Sequence, residues 1–158
     1  MVRSYRSAVI PASVEQVWAS LRDFDGLPVW HPGIASSEIE DGRRAGEVGC
    51  VRRLVTGDGD VIRERLMALD DVERSVEYEI LAGPFPIRNY RAVMRAAPIT
   101  DRGSALVERA FVEWAFVEWY ADYDPETAGA DAETDLEETF GDGVFARGLR
   151  GLRQRFEG

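Results

Sequence analysis

Apolar residues recur along this chain at two spacings, and the changes between them mark its elements. Residues 2–10 read as a first strand that ends at Pro11. Ser13-Val-Glu-Gln16 then forms a capping box, a hydroxyl followed three residues later by Gln. Val14, Val17, Trp18 and Leu21 follow at helical spacing, so a helix runs to about Arg22. Phe24 to Gly33, with Asp25-Gly26, Pro28 and Pro32, reads as a second short helix or turn. From Ile34 to Leu81 the period is two. Strands are predicted over 34–40, 48–55, 61–69 and 74–82, with turns at Asp41-Gly42, Thr56-Gly-Asp-Gly-Asp60 and Asp70-Asp71. Two more run over 87–97, after Gly83-Pro-Phe-Pro86, and 105–120. An acidic loop over 121–133 leads into a final helix from Ala132 to Phe156. The order β-αα-β6-α predicts an α+β fold with an antiparallel sheet, in one domain spanning 1–158.

Parity within the strands assigns their faces. Val48, Cys50, Arg52 and Leu54 share a side, as do Ile62, Glu64, Leu66 and Ala68, then Val76, Tyr78 and Ile80, then Tyr90, Ala92, Met94 and Ala96. This even face is expected to be buried, and it carries two charges, Arg52 and Glu64. If the 56–60 turn is symmetric about Asp58, the two lie directly across from each other. They are then either a structural ion pair or a partly hydrated pair available to a polar ligand group.

Phe140, Val144, Gly148, Leu152 and Phe156 recur every fourth residue in the last helix and make one face. Gly141, Gly143, Gly148 and Gly151 lie in or beside it, each costing about 1 kcal/mol relative to Ala. Close packing and ligand space both account for them. The repeat Phe111-Val-Glu-Trp114-Ala-Phe116-Val-Glu-Trp119 has an offset of five, which flips the face in a strand. Trp114 and Phe116 are expected inward, with Phe111 and Trp119 outward as a homodimer face or under a loop.

Composition removes several chemistries. Asp and Glu number 29 against 19 basic residues, a net charge of −10, and every basic residue is Arg. Without Lys there is no Schiff-base chemistry and no phosphate-cradling G-x-x-x-x-G-K-[ST] motif. One His, His31, and one Cys, Cys50, cannot build a His/Cys zinc cluster, and no G-x-S-x-G elbow is present. No metal and no cofactor are expected. The acidic balance argues against nucleic acid. No apolar run approaches a transmembrane length, and Met1-Val-Arg-Ser-Tyr-Arg-Ser lacks a signal peptide's apolar stretch, so no membrane insertion is expected. The single Cys suits a reducing cytoplasmic setting. The charge is also uneven. Ala110 to Ala146 holds 11 acidic residues and no Arg, while Arg147, Arg150, Arg153 and Arg155 follow. That order suits a helix macrodipole.

With these residues in place, the chain resembles the START-like helix-grip (SRPBCC) superfamily, in its polyketide cyclase/dehydrase and lipid-transport branch. The resemblance rests on Pro11-Ala-Ser-Val-Glu-Gln-Val-Trp18, Phe24-Asp25, Trp30-His31-Pro32, Gly49-Cys-Val-Arg52, Glu64-Arg-Leu66, Leu69-Asp-Asp71, Asn89-Tyr90 and the final helix. It implies a curved sheet wrapped around the C-terminal helix, with an internal cavity. From Val48 through Val93 the chain is similar to the plant abscisic-acid receptors. By that resemblance Arg52, Leu54, Ile62, Glu64 and Tyr90 line the cavity, and Phe140, Val144 and Gly148 fall at pocket-facing helix positions. Two departures stand out. Thr56-Gly-Asp-Gly-Asp60 replaces the receptors' gate loop, and their carboxylate-binding Lys would fall near Ile34. An abscisic-acid-like ligand is therefore not expected.

The leading expectation is binding, for transport or sequestration, of a small hydrophobic molecule. Trp30, His31, Leu66, Tyr78, Ala92, Trp114 and Phe116 complete its expected wall. The alternative is a polyketide aromatase/cyclase or dehydratase in the same cavity, with Arg52, Glu64 and Tyr90 as catalytic candidates and His31 either exchanging protons or capping the turn before Pro32. A third reading is a ligand-free interaction module.

Overall fold

Local signals place the first elements. In the structure, a computed structural model describing residues 1–100, 104–107 and 110–157, β1 (Val2–Ile10) ends at Pro11. α1 (Val14–Arg22) starts at the capping box, with the Ser13 hydroxyl accepting from the Gln16 backbone N–H and the Gln16 side chain reaching back to Ser13. α2 (Leu27–Trp30) is a single turn closed by His31. The remaining elements are β2 (Ile34–Ile39), β3 (Val51–Thr56), β4 (Val61–Asp70), β5 (Ser75–Ala82), β6 (Ile87–Pro98), β7 (Ser104–Val107), β8 (Ala110–Glu113) and β9 (Ala115–Pro125). The C-terminal helix begins as α3 (Ala130–Glu137), widens into a π segment (Glu138–Ala146) and continues as α4 (Arg147–Phe156).

Seven strands form one antiparallel, curved sheet in the order β1-β9-β6-β5-β4-β3-β2, and its inner face is covered by α1 and the C-terminal helix. The β3–β4 register places Arg52 opposite Glu64, as the symmetric turn requires. Four one-residue bulges interrupt the regular alternation, the first at Ala35, between the Ile34–Thr56 and Ser36–Val55 pairs. Leu66 pairs with Tyr78 and Ala68 with Glu77, leaving Met67 extra. Leu81 is extra between the Glu64–Ile80 and Arg63–Ala82 pairs. Asn89 and Tyr90 together face Tyr123, because Arg88 pairs with Asp124 and Arg91 with Asp122. Asn89 takes a left-handed φ of 56°, a conformation that Asn tolerates.

These irregularities correct the parity reading at its ends. Beyond Met67 the alternation shifts, so Ala68 is exposed and Leu69 packs on the core. Val48 is exposed because β3 starts only at Val51.

The expected strand over 105–120 is three pieces. β7 and β8 pair with each other outside the main sheet, and β9 begins at Ala115. Within β9 the inward residues are Ala115, Val117, Trp119, Ala121 and Tyr123, whereas Phe116 is half-buried on the other side and Trp114, just before the strand, is half-buried too. The expected orientation is therefore reversed, and the cause is cross-strand. Met94 pairs with Trp119, Ala96 with Val117 and Ala92 with Ala121. Paired residues share a face, so the inward residues of β6 draw the odd residues of β9 inward. The side chain of Phe111 lies outside what the structure describes. The expected acidic loop also shortens. Residues 121–125 belong to β9, where Asp122 pairs with Arg3 at 2.8 Å, and the helix starts at Ala130 after Gly129.

The helix glycines divide by role. A Cβ on Gly151 would overlap the Trp30 carbonyl oxygen, and one on Gly148 would stand 2.5 Å from His31 Cδ2 and 2.7 Å from Trp119 Cζ3. These two are close-packing sites. Gly143, by contrast, has nothing but the Glu138 carbonyl oxygen near its Cβ position, at 3.6 Å. Gly151→Ala adds about 1 kcal/mol of helix propensity but overpacks against backbone, which costs about 1–3 kcal/mol. A lowered midpoint of thermal unfolding is expected. An unchanged or raised midpoint would remove close packing as the reason for this glycine.

Candidate functional site

The sheet's inner face and the π segment flank a pocket of about 330 Å³. The sheet contributes Leu54, Ile62, Glu64, Tyr78, Ile80, Tyr90 and Trp119, and the helix Thr139, Phe140, Gly143 and Val144. Leu27, His31 and Ile34 close one end. The β3–β4 turn, the connector residues Pro84 and Phe85, and Arg147 border it as well.

Register explains the polar centre. Arg52 and Glu64 both point inward from paired positions, and both are buried. Arg52 Nε donates to Glu64 Oε1 at 2.8 Å and Nη1 donates to the Phe24 carbonyl at 2.8 Å. Nη2 lies 2.7 Å from the same Oε1 but off the direction of a hydrogen bond. The guanidinium is held between two rings, 4.0 Å from the Phe24 centroid and 5.0 Å from that of Tyr78. Glu64 Oε2 accepts no hydrogen bond among the described residues, and Glu64 is on the pocket wall. Burial pushes the Glu64 carboxyl above its ordinary range, and Arg52 opposes that rise.

Beside it, Trp119 Nε1 donates to the Tyr78 hydroxyl at 3.0 Å. Burial raises the Tyr78 and Tyr90 phenols well above their ordinary value, with Glu64 adding to both, so they act as neutral hydroxyls. His31 sits where α2 ends. Its Nδ1 accepts from the Gly33 N–H at 3.0 Å, leaving Nε2–H to donate to the Val144 carbonyl at 2.8 Å. Burial brings its pKa down to about 4, and the positive charges of Arg147 and Arg52 push the same way. His31 is thus a neutral clip between the α2 turn and the π segment.

Of the residues read from sequence, His31, Leu54, Ile62, Glu64, Tyr78, Tyr90, Phe140 and Val144 meet at the pocket. Arg52 stands behind Glu64, walled off by its two rings. Trp30 packs against Trp119 at 5.9 Å, and Gly148 against His31 and Trp119. Leu66 and Ala92 are fully buried and off the wall. Phe116 is on the other side of β9, Trp114 precedes the strand, and neither lines the pocket. Sequence reasoning missed Trp119, Phe85 and Arg147. The β6 partners of β9 carried a signal for Trp119, and the apolar Phe85 between two prolines carried one for the connector, whose ring lies 4.8 Å from that of Phe140.

Among the described residues, no group of three His, Cys, Asp or Glu side chains could hold a metal ion, and no helix is long and apolar enough to cross a membrane.

Similar proteins fall in two groups. The chain is 30% identical to the abscisic acid receptor PYL7 of Arabidopsis thaliana over 107 residues and 33% identical to PYL1 over 87 residues. Those matches take in 65% and 53% of this chain but 49% and 39% of the receptors, so it spans about half of their length or less. Among solved structures, XoxI from Bacillus cereus superposes with a TM-score of 0.80 at 33% identity, covering 99% of this chain and 96% of that one. Norcoclaurine synthase from Thalictrum flavum shares the fold, with a TM-score of 0.70 at 14% identity over 98% of this chain and 85% of that one. The sequence pattern of the family described as polyketide cyclase / dehydrase and lipid transport matches residues 1–157, and the chain belongs to that family.

Proposed function

We propose that the chain binds a ring-sized, largely apolar organic molecule bearing a hydrogen-bond donor, held between the sheet and the π segment. The supporting observation is a buried carboxylate with one oxygen tied to Arg52 and the other unpartnered among the described residues, on a largely apolar, aromatic wall. A ligand hydroxyl or N–H satisfies that oxygen. A ligand carboxylate is repelled by it. The pocket's volume, about 330 Å³, is at the low end of ligand pockets (roughly 300–1,000 Å³) and suits one or two rings better than a long acyl chain. Within the family's description, this favours a compact polyketide-like ligand over a lipid.

Calorimetric titration with naphthol, a two-ring donor, tests the reading. Binding is expected, and Val144→Trp, which fills the pocket from the helix side, is expected to weaken it at least about tenfold. A folded Val144→Trp variant that binds naphthol unchanged would place the ligand elsewhere. One observation favours the enzymatic alternative, the raised Glu64 carboxyl facing the pocket. Aromatase/cyclase or dehydratase chemistry would use it for proton transfer. Glu64→Gln then retains binding and loses turnover of a cyclising substrate.

A further inference from the structure

β5 and β6 do not stay together. They pair from Ser75–Arg95 to Glu79–Arg91 and then part. Beyond that point Ile80 and Ala82 remain paired with β4, and Ile87 and Arg88 with β9, so each strand is held by its outer neighbour alone. The bulges at Leu81 and Asn89 fall on the two sides of the split. Between them lies a second space of about 200 Å³, bordered by Leu81, Ala82 and Gly83 on one side and Arg88, Asn89 and Tyr90 on the other. Ile80, Phe85 and Tyr90 line both this space and the main pocket, so the two are neighbours across these residues. Of the three, Phe85 alone stands on a connector rather than in a strand, and it is half-buried.

The gap is more polar than the pocket. Its two strand edges have no ladder partner across it among the described residues, which leaves peptide donors and acceptors facing inward. Its charges are balanced, with Arg88 and Glu126 both on its border, and the Asn89 amide is tied to Asp124 at 2.9 Å. That favours a group that both donates and accepts and carries no charge.

We infer that the split between β5 and β6 is a second mouth of the pocket, which takes the uncharged, hydrogen-bonding tail of a ligand whose ring body sits against Glu64 and Phe140. An alcohol or amide chain has the required chemistry. The inference rests on the pocket being a ligand site.

Two probes separate the claims: naphthol, and a naphthol carrying a hydroxyethyl chain on its second ring. Calorimetry is expected to show the tailed probe binding about five- to tenfold tighter, the worth of one or two net hydrogen bonds. In the unaltered chain, the tailed probe alone is expected to shift the backbone amide resonances of Leu81, Ala82, Arg88 and Asn89. Ala82→Trp, at an exposed residue that borders the gap but not the pocket, is expected to erase the advantage and leave naphthol binding intact. Naphthol binding with no gain from the tail and no shift at those amides would overturn the second mouth while the pocket reading stands. Binding of neither probe would overturn both. The amide shifts are read without the variant, so the outcome does not depend on its folding.

Discussion

Replacing Arg52 by Met is expected to destabilise the protein by about 3–5 kcal/mol at neutral pH, because it leaves the Glu64 carboxylate buried without its cation. Lost shape contributes little, since Met refills part of the slot between Phe24 and Tyr78. The pH dependence identifies the cause. In the variant, the folded-state pKa of Glu64 rises further above the unfolded value, so the folded state binds the extra proton. The deficit relative to the parent therefore shrinks as pH falls toward about 4.3, the ordinary carboxyl value. Denaturant unfolding of both chains at each pH reads this difference, and contributions common to the two cancel. Arg52→Met combined with Glu64→Leu is expected to recover most of the stability, since an apolar pair of similar volume is tolerated where a half-pair is not. A loss below about 1 kcal/mol would mean that water reaches the carboxylate and the pair is dispensable, and a larger loss independent of pH would assign it to the Phe24 carbonyl and packing rather than to the stranded charge.

Acidification is expected to act most strongly through His31. Its folded-state pKa lies below the unfolded value, at about 4 against 6.5, so the unfolded chain binds more protons between those limits. Stability is full above 6.5 and falls as the pH drops toward 4, by about 3 kcal/mol if the whole difference is expressed. The structural reason is that both ring nitrogens are committed. A proton on Nδ1 displaces the bond from the Gly33 N–H, in a buried site that also feels Arg52 and Arg147. His31→Gln keeps a donor for the Val144 carbonyl and cannot titrate. Its unfolding midpoint is expected to be flatter than the parent's over this range. Parallel curves for the two chains would assign the acid sensitivity to other groups.

What was legible in the sequence was local. The Ser13–Gln16 capping box placed α1, and the symmetry of a short turn placed Arg52 across from Glu64, because in each case the controlling residues are neighbours in the chain. What was not legible depended on distant partners or on a change of period. Trp119 turns inward because of Met94, twenty-five positions earlier and on another strand. Phe145 was passed over because a repeat of four selects Val144. The wide turns of the π segment lengthen the stride, so Phe145 reaches the core and stacks on Trp119 at 4.8 Å, while Val144 is left on the pocket wall. Arg52 was correctly placed on the inner face, yet parity carries no depth. Only the rings of Phe24 and Tyr78 show that the pocket meets Glu64 and not its partner.

The bulges also determine where chain length is free to change. Met67 and Asn89 each stand in a strand without a ladder partner of their own. Removing Met67 leaves Leu66 inward, Ala68 outward and Leu69 inward, and removing Asn89 does the same for Ile87, Arg88 and Tyr90. A relative shorter by one residue in either strand thus keeps its hairpins, its buried face and the inward tyrosine, provided the gap in the alignment is set at the bulge. Set one position away, the same gap would match an outward residue to the bulged one, and left out altogether it would assign every following side chain to the wrong face.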